Sequence, residues 1–414
     1  MPKRRVAITG MGVLSPLGLS VPELTAALRT GRSGIRLLDV PKLPGAYPAG
    51  IVDGTFSDRF TRLEQPFLDR CHEMAIVAAR QAIEDAGLES FAAHGPRAGL
   101  YYGNVNGGAV SVQNWCEDVL VHGKHKSRPF TAMSIMSNSG AAQVAIRHKI
   151  LGPVVTHASA CASSGVAIGE AMRAIADGYL DVAVVGGAEA PLTAALIGVF
   201  DGTRALSKAD QGDPSRTCKP FSRDRSGLVL GEGAAFLVLE AEESAERRGA
   251  SKHYGYVRGY GVSCDAHHIG MPESQGQVQC LVQALENAGV KAGDVQYVNA
   301  HATATDGGDM IEATAIRTVF GDSEGSAAVS STKSVHGHLL GATSALECLI
   351  TVVAINESLL PASGNIGIAD ERCSLNHVGE RPRANSQIDV AVSFSCGFGG
   401  TNAALVLGSR RSPL

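Results

Sequence analysis

Short apolar segments alternate with longer amphipathic segments along almost the whole chain. Apolar runs bounded by turn residues indicate strands buried in a sheet, and an apolar repeat of about 3.6 residues indicates helices that cover it. The alternation therefore predicts an α/β protein with layers of helices around largely buried strands. The predicted helices are Glu73–Ala86, Ser163–Asp177, Gly276–Ala288 and Leu339–Ile355. The predicted strands are Arg5–Thr9, Ala98–Tyr102, Val182–Gly186, Ala235–Glu240, Tyr297–Ala300, Ala327–Ser331 and Val390–Ser395.

The two halves of the chain repeat one order of elements. The stretches VVTHASACASSGVAIGEAMRAI at 154–175 and AAVSSTKSVHGHLLGATSALECLI at 327–350 each contain a strand, a turn of small residues and a long helix. A chain of 414 residues also exceeds the usual size of a single core. We therefore predict two duplicated α/β halves, residues 1–252 and 253–414, whose turns meet on one face. The charged segment Glu240–Lys252 marks either their boundary or a surface helix.

The composition is that of a globular protein without nucleic-acid or membrane partners. Apolar residues make up 44% and charged residues 18% of the chain, and the net charge is -4. A nucleic-acid-binding domain would carry clustered basic residues. The basic start, MPKRRVAITG, resembles a signal peptide, but glycine and proline interrupt the apolar stretch early. No apolar run reaches about 18 residues, so no membrane span is expected.

The cysteines indicate a reducing compartment. The chain has nine cysteines, which are scattered, and no Cys-x-x-Cys motif occurs. A chain of this length does not need disulfides to stabilise its core, and the odd number leaves at least one thiol unpaired. We therefore expect free thiols and a cytoplasmic location.

Cys161 is the first candidate for chemistry. It lies in the segment Ala-Ser-Ala-Cys-Ala-Ser-Ser-Gly at 158–165, after an apolar strand and at the start of a predicted helix. The free N–H groups and the positive potential of a helix start favour a thiolate, and therefore a nucleophile. The alternative is a buried structural cysteine, because free cysteines are often buried.

Two further turns carry basic side chains. His301 follows a predicted strand and precedes two threonines. Lys333, His336 and His338 lie between another strand and the helix after it. Ligands of α/β sheets bind at the carboxyl ends of strands, so the two turns predict a shared pocket. The alternative for each histidine alone is a hydrogen-bonded residue without a chemical role.

The last long strand leads into a glycine-rich turn, Cys-Gly-Phe-Gly-Gly-Thr-Asn at 396–402. Glycine lets a backbone N–H approach a reacting oxygen closely, as an oxyanion hole requires. A phosphate loop is not indicated, because no lysine or helix start follows the glycines. The alternative is a tight turn before a closing strand, Ala404–Leu407.

Together these motifs resemble the β-ketoacyl synthase family, most closely its bacterial fatty-acid elongation branch. The resemblance extends from VAITGMGVLSPLG near the start through RALS at 204–207, FSRDRSGLVLGEGAAFLVLE at 221–240 and SCDAHH at 263–268 to GFGGTN at 397–402. The order of a cysteine, a histidine and a Lys-x-x-x-x-His motif is its most specific feature. The resemblance implies the thiolase fold, in which two duplicated α/β halves form a five-layered α-β-α-β-α core. It also implies decarboxylative Claisen condensation of a cysteine-bound acyl chain with malonyl-acyl carrier protein.

The resemblance implies a role for each residue of the shared pocket. Cys161 matches the nucleophile that accepts the acyl chain from acyl carrier protein. His301 and His338 match the histidines that donate hydrogen bonds to the malonyl thioester oxygen as the enolate forms. Lys333 matches the lysine that orders the pocket, and we expect a supporting ionic role for it, with Glu347 as its partner.

The resemblance also implies the surroundings of the reaction. The backbone N–H groups of Cys161 and Phe398 are expected to form the oxyanion hole, and the Phe398 side chain is expected to gate the acyl chain. The hydroxyls of Thr303 and Thr305 are expected to bind pantetheine. Substrates arrive on the 4′-phosphopantetheine of acyl carrier protein, so no cofactor of the enzyme itself is expected. The expected acyl-pocket residues are Asn106 and Phe200, and the expected carrier-protein docking residues are Lys124, Lys126 and Arg128.

No metal site is expected. His336 and His338 form a His-x-His pair, but only His338 matches the family motif, and no carboxylate or cysteine of suitable spacing joins them. Asp265, His267 and His268 resemble a family loop near the site, and we interpret them as structural.

Departures from the elongation enzymes leave the pathway open. His301 is followed by Ala-Thr-Ala-Thr where Gly-Thr-Ser-Thr is usual, Asp306 replaces a proline, and Cys396 stands where phenylalanine is common. Asn106 occupies a position that is apolar in many relatives, and the segment Glu64–Asp69 lacks a basic pair that often docks carrier protein. A type II polyketide or polyene pathway is therefore an alternative to primary fatty-acid synthesis.

Two other functions are alternatives. A thiolase normally uses a second catalytic cysteine, where this chain offers His338. A non-catalytic chain-length factor typically lacks the nucleophile, which Cys161 provides here. A dimer is expected, either of two like subunits or with a related ketosynthase-like subunit.

Overall fold

The computed structural model describes residues 3–125, 127, 129–323 and 325–411. In this part of the chain ten strands follow one another across a continuous ladder, and three short strands form a small separate sheet. The first-half strands of the ladder are β1 (Val6–Leu14), β4 (Ala98–Gly103), β5 (Val154–His157), β6 (Val182–Glu189) and β8 (Gly233–Ala241). The second-half strands are β9 (Tyr256–Cys264), β10 (Tyr297–Asn299), β11 (Ala328–Ser330), β12 (Val390–Cys396) and β13 (Thr401–Gly408). The small sheet contains β2 (Ile35–Asp39), β3 (Ala46–Gly50) and β7 (Leu230–Gly231).

The ladder has two matching halves. Its order is β11-β10-β12-β13-β9 followed by β1-β8-β6-β4-β5, so each half mirrors the other. In the first half β1–β8 and β8–β6 are antiparallel, whereas β6–β4 and β4–β5 are parallel. In the second half β9–β13 and β13–β12 are antiparallel, whereas β12–β10 and β10–β11 are parallel. The halves join where Ala7 of β1 pairs with Tyr256 of β9. The expected duplication is therefore present in the sheet topology.

The helices complete five layers. Helices α6 and α12 pack against each other between the two half-sheets, in an apolar core to which both halves contribute. Helices α2 and α5 cover the outer face of the first half-sheet, and α9 and α10 cover that of the second. The helices are α1 (Val21–Thr30), α2 (Arg70–Asp85), α3 (Ala109–Trp115), α4 (Thr131–Ile135), α5 (Ser139–His148), α6 (Ser163–Ala176), α7 (Ala194–Gly202), α8 (Glu242–Arg247), α9 (Ser274–Ala288), α10 (Asp306–Phe320), α11 (Lys333–His336) and α12 (Thr343–Glu357).

The predicted first strand, Arg5–Thr9, is too short. Strand β1 continues through Gly10 and Gly12 to Leu14. A Cβ atom at Gly10 would lie 2.1 Å from the carbonyl oxygen of Ala82, and one at Gly12 would lie 2.1 Å from that of Ala78. These glycines therefore do not end the strand but let α2 approach its backbone closely.

Two segments have a structure that their sequence pattern left open. The charged segment 240–252 contains a short helix, α8, and the proposed division at residue 252 stays a prediction. The stretch Leu340–Glu357, which includes α12, is long and apolar enough to cross a membrane, but 89% of it is buried inside the protein. This burial is that of the central core helix of a layered fold. Its first turn, Leu340–Ala342, is a 3₁₀ turn, so the α-helix starts later than the predicted Leu339.

Candidate active site

A cavity of about 1070 Å³ opens where the carboxyl ends of the parallel strands meet. Both halves of the chain contribute to its walls. The predicted site residues that line it are Asn106, Cys161, Phe200, His301, Thr303, Thr305, His338 and Phe398. The structure therefore brings most of the predicted site into one cavity.

Cys161 lies just before the central helix α6. The preceding residue, Ala160, has a left-handed backbone with φ of 47°, a conformation that residues with a side chain rarely adopt. The turn is held by Ser163, whose hydroxyl accepts a hydrogen bond from Ser159 N at 2.8 Å and donates one to Ala160 O at 2.6 Å. This turn presents the thiol to the cavity, with Cys161 Sγ 3.0 Å from His338 Nε2.

Burial favours the protonated form of the Cys161 thiol. Burial raises the pKa of the thiol to about 11, although the positive charge of Lys333 and the backbone N–H groups of Phe398 and Cys161 act in the opposite direction. The expected effect of the backbone N–H groups on the thiol is present, but burial acts against it and is the larger of the two. The same two N–H groups are those expected to form the oxyanion hole, and both interact with the sulfur.

The two histidines of the Lys333 turn have different surroundings. His338 Nδ1 lies 2.8 Å from Thr343 Oγ1, and its other ring nitrogen faces Cys161. His336 is fully buried, and its ring nitrogens lie 2.6 Å from Gly337 O and 3.0 Å from Thr332 Oγ1. His336 therefore has protein partners at both nitrogens, whereas His338 points one nitrogen at the nucleophile.

His301 is held from behind by a buried acid. The carboxylate of Glu312 accepts hydrogen bonds from the backbone N–H groups of His301 and Ala302, each at 2.6 Å. The His301 ring lies 5.4 Å from the His338 ring, centroid to centroid, and nearly perpendicular to it. Its Nδ1 is buried without a hydrogen-bond partner among the described residues.

Burial and a nearby buried ion pair both favour the neutral form of the two imidazoles. Lys333 and Glu347 are completely buried, with Nζ 2.6 Å from Oε1. Burial lowers the pKa of His301 and of His338 well below the usual value, and the charge of Lys333 lowers each further. Burial raises the pKa of Glu347 to about 7, against the effect of Lys333. The expected partnership of Lys333 with Glu347 is thus present.

The glycine-rich turn after β12 lies against the nucleophile turn. A Cβ atom at Gly397 would lie 2.7 Å from Ser159 O and 3.3 Å from Cys161 N, so only glycine fits without displacing the nucleophile turn. Phe398 follows with 52% of its surface exposed, at the cavity wall. Gly399 has φ of 86°, and its N–H donates a hydrogen bond to Ile269 O at 2.8 Å. Phe398 therefore lies on an exposed turn beside the nucleophile, as a gate requires.

Thr303 and Thr305 line a second wall, with their Oγ1 atoms 3.1 Å apart. Arg225, which was not predicted as a site residue, fixes this segment from beneath. Its guanidinium donates to the carbonyl oxygens of Thr305 and Asp306 and pairs with Asp370 at 2.7 Å. The two hydroxyls are therefore presented by a backbone that a buried arginine holds in place.

Some of the remaining predicted residues line the cavity and others do not. Asn106 and Phe200 line the cavity. Lys124 lies outside the cavity lining and forms an ion pair with Asp118 at 2.5 Å. Lys126 and Arg128 lie outside the described residues. The docking role of these three residues stays a prediction.

Potential metal ligands also meet at this site. The ligand atoms of Cys161, His301 and His338 lie within 4.8 Å of one another. Thiolate and imidazole are the ligands that zinc prefers. The expectation that the site works without a metal stays a prediction.

Two family models match the chain. The model of the β-ketoacyl synthase N-terminal domain matches residues 3–245, and that of the C-terminal domain matches residues 254–367. The chain belongs to the β-ketoacyl synthase family. The recognition made from the sequence motifs is confirmed.

Relatives of this β-ketoacyl synthase cover almost its whole length. The chain is 38% identical to 3-oxoacyl-[acyl-carrier-protein] synthase 2 of Coxiella burnetii over 98% of this chain and 99% of that protein. Among solved structures, the ishigamide ketosynthase/chain length factor has a TM-score of 0.90 and 32% identity, over 98% and 99% of the two chains. The type II polyketide ketosynthase complex AntDE:AntF has a TM-score of 0.88 and 28% identity, over 98% and 100%. The thiolase-type fold is thereby confirmed.

Sequence motifs missed the buried residues that position the site. Glu312 and Arg225 line the cavity, and Glu189 lies behind its wall, yet none was predicted. Arg225 belongs to the quoted FSRDRSG motif, so the family resemblance contained a signal for it. Glu312 lies eleven residues after His301 on the same face of the site, and only the fold shows that it returns to the His301 backbone.

Proposed function

We propose that this chain is a β-ketoacyl-acyl-carrier-protein synthase, a carbon–carbon bond-forming acyltransferase. The observation that carries the proposal is the arrangement around Cys161 Sγ, with His338 Nε2 at 3.0 Å and two backbone N–H groups beside the sulfur. His301 completes the arrangement next to His338. A nucleophile, an oxyanion hole and two neutral hydrogen-bond donors are the groups that acyl transfer and enolate formation require.

In the first step the Cys161 sulfur attacks the acyl thioester of acyl carrier protein. A C–S bond forms to Cys161 while the bond to the carrier breaks, and the carrier thiol leaves with the proton. His338 can take up the thiol proton, because the Thr343 hydroxyl beside its Nδ1 can either donate or accept. The N–H groups of Cys161 and Phe398 stabilise the tetrahedral oxyanion.

In the second step malonyl-acyl carrier protein loses carbon dioxide. The electron pair of the broken C–C bond forms an enolate, whose oxygen accepts hydrogen bonds from His301 and His338. The enolate carbon then attacks the acyl group on Cys161, so a C–C bond forms and the Cys161 thiolate leaves and is reprotonated. Preorganised donors stabilise charge that exists only in the transition state, so they accelerate the step.

Burial supports a division of the remaining roles. Lys333 is completely buried beside Glu347. We therefore assign it a positioning role in which its charge adds to burial in favouring neutral histidines, and not the role of a proton donor to substrate. Thr303 and Thr305 are the proposed contacts for the pantetheine arm. The pantetheine is carried by acyl carrier protein, and no metal or further cofactor takes part in the proposed reaction.

Partners and pathway belong to the same proposal. We propose acyl carrier protein as the macromolecular substrate, with Lys124, Lys126 and Arg128 in its docking, and a cytoplasmic location. The similar proteins include a 3-oxoacyl-[acyl-carrier-protein] synthase 2 and a type II polyketide ketosynthase, so the proposal leaves both the fatty-acid and the polyketide pathway open. A dimer of like or related subunits is supported by β5, the terminal strand of the sheet, where Val154 is 41% exposed.

The residues of the site argue against both alternative functions. A chain-length factor would not need Cys161 at a cavity with two histidines, and a thiolase would place a second cysteine where His338 lies. The direct test is intact-mass measurement after incubation with acyl-acyl carrier proteins, followed by malonyl-acyl carrier protein. We expect one acyl group on Cys161 that disappears on condensation. A chain that stays unlabelled with every acyl donor would contradict the proposal.

A further inference from the structure

An amide side chain interrupts the apolar wall of the cavity. Asn106 follows β4 and lines the same cavity as Cys161. Apolar residues that line the same cavity include Val105, Phe200 and Leu340. A hydrocarbon wall would suit a saturated acyl chain, so the amide requires an explanation.

A buried carboxyl group holds this amide in place. Glu189 ends β6, which pairs with β4, and it is completely buried. Its Oε2 accepts a hydrogen bond from Asn106 Nδ2 at 3.1 Å, and its Oε1 accepts one from Val105 N at 2.5 Å. Burial raises the pKa of Glu189 to about 7, against hydrogen bonds from Val105, Asn106 and Gly341. The orientation of the Asn106 amide is therefore set from behind the wall.

The rest of the amide is free to interact. Among the described residues, Asn106 Oδ1 has no hydrogen-bond partner, and this oxygen is not fully buried. The oxygen is therefore accessible. Glu189 uses one of the two amide N–H bonds, which leaves one donor and one acceptor at the cavity wall.

We propose that Asn106 is a specificity-determining residue that selects acyl chains carrying a keto or hydroxyl oxygen over saturated chains. The proposal rests on the proposed function. A keto oxygen accepts the free N–H, and a hydroxyl group can use both the N–H and Oδ1. A saturated chain would cover the amide without replacing its hydrogen bonds to water, which lowers its affinity. The β-keto product of condensation is itself a member of the favoured class.

The test compares the rates at which Cys161 is acylated by matched pantetheine thioesters, measured by intact mass. The panel contains octanoyl, 3-oxooctanoyl, 5-oxooctanoyl, 3-hydroxyoctanoyl and octa-2,4-dienoyl groups. We expect the wild type to prefer at least one oxygenated chain over octanoyl by about tenfold, the size of one well-placed hydrogen bond. Asn106→Leu, which keeps the approximate volume, should lose that preference.

Controls separate specificity from folding. Asn106→Gln keeps an amide and should retain part of the preference, whereas Phe200→Leu changes an apolar lining residue and should affect all chains alike. Thermal melting shows whether a variant is folded, and the wild-type preference is a test that needs no variant. A wild type that prefers octanoyl or dienoyl, or a preference unchanged in Asn106→Leu, would overturn the inference. A wild type that no thioester acylates would instead contradict the proposed function.

Discussion

The two halves of this protein have the same topology but carry different reactive side chains. In the first half the turn between β5 and α6 carries Cys161. The matching turn of the second half, between β11 and α12, carries Lys333 and His338. In the proposed reaction, the first half supplies the nucleophile and the second half supplies the two histidines that stabilise the enolate.

The duplicated architecture explains why these turns meet. Helices α6 and α12 lie side by side in the middle layer, so their N-terminal ends converge. Ser344 near the start of α12 donates a hydrogen bond to Cys161 O at 2.8 Å, and Ser164 in α6 accepts one from Ala345 N at 2.8 Å. Duplication therefore creates the shared site, and divergence of a few turn residues makes it asymmetric.

The asymmetry is also electrostatic. Lys333 is a buried cation in the second half, and its charge lowers the pKa of the Cys161 thiol as well as those of both active-site histidines. The first half contributes the amide of Asn106 to the cavity lining, with Glu189 as its hydrogen-bond partner. In the proposed reaction the first half holds the acyl group and the second half stabilises the enolate, and this division can be tested.

Removal of the nucleophile should have the largest effect. Cys161→Ala should abolish acylation and condensation, because no other described side chain is placed as the acyl acceptor. Malonyl decarboxylation should persist, since the histidines of the other half remain. Intact mass and release of labelled carbon dioxide measure the two activities. An alanine variant that still forms a covalent acyl-enzyme would show that the nucleophile lies elsewhere.

Removal of either histidine should impair the charge-stabilising half. We expect His301→Ala or His338→Ala to slow condensation about a hundredfold or more, in line with the loss of roughly 3 kcal/mol of oxyanion stabilisation. Acylation should survive at least in part, because the N–H groups beside Cys161 remain. Rapid-quench measurement of each half-reaction separates the steps. Condensation near the wild-type rate in both variants would end the proposed division of labour.

The effect of Lys333 should be indirect. Lys333→Met leaves Glu347 buried without its partner, and breaking a buried pair costs about 3–5 kcal/mol. Without the cation the pKa values of His301 and His338 should rise. A neutral His338 accelerates acylation by accepting the thiol proton, so the acid limb of the pH–rate profile should move to higher pH.

A double variant keeps this prediction testable if Lys333→Met folds poorly. Lys333→Met with Glu347→Gln removes both charges, so stability should largely recover, while the shifted acid limb should remain. Thermal melting and pH–rate profiles measure the two effects. An acid limb at the wild-type position in the folded double variant would show that Lys333 does not control the histidines.

Much of the fold could be predicted from the sequence, because burial in layers imposes local patterns. The predicted helix Ser163–Asp177 agrees with α6 (Ser163–Ala176) to within one residue, and the predicted strand Val390–Ser395 agrees with β12 to the same extent. Gly10 and Gly12 misled the prediction of β1, since only the packed α2 shows why they are needed.

The electrostatics of the site could not be predicted in the same way. A helix start favours a thiolate when it is considered alone, but burial between the two halves raises the pKa of Cys161 to about 11. The supporting contacts of Glu312 and Glu189 join elements that are separated in sequence. Motifs locate reactive residues, whereas their ionisation depends on tertiary burial.

Removal of metal ions should have the smallest effect, because we expect the condensation rate to stay the same. The ligand atoms of Cys161, His301 and His338 lie within 4.8 Å of one another, so zinc has suitable donors here. In the proposed reaction, however, a metal on Cys161 Sγ would block the attack on the acyl thioester. Dialysis against a strong chelator should leave the condensation rate unchanged, and added zinc should inhibit. Metal content measured before and after dialysis is the control. If chelation abolished condensation and zinc restored it, a metal rather than the second-half histidines would stabilise the enolate, and the contrast between the halves would fail.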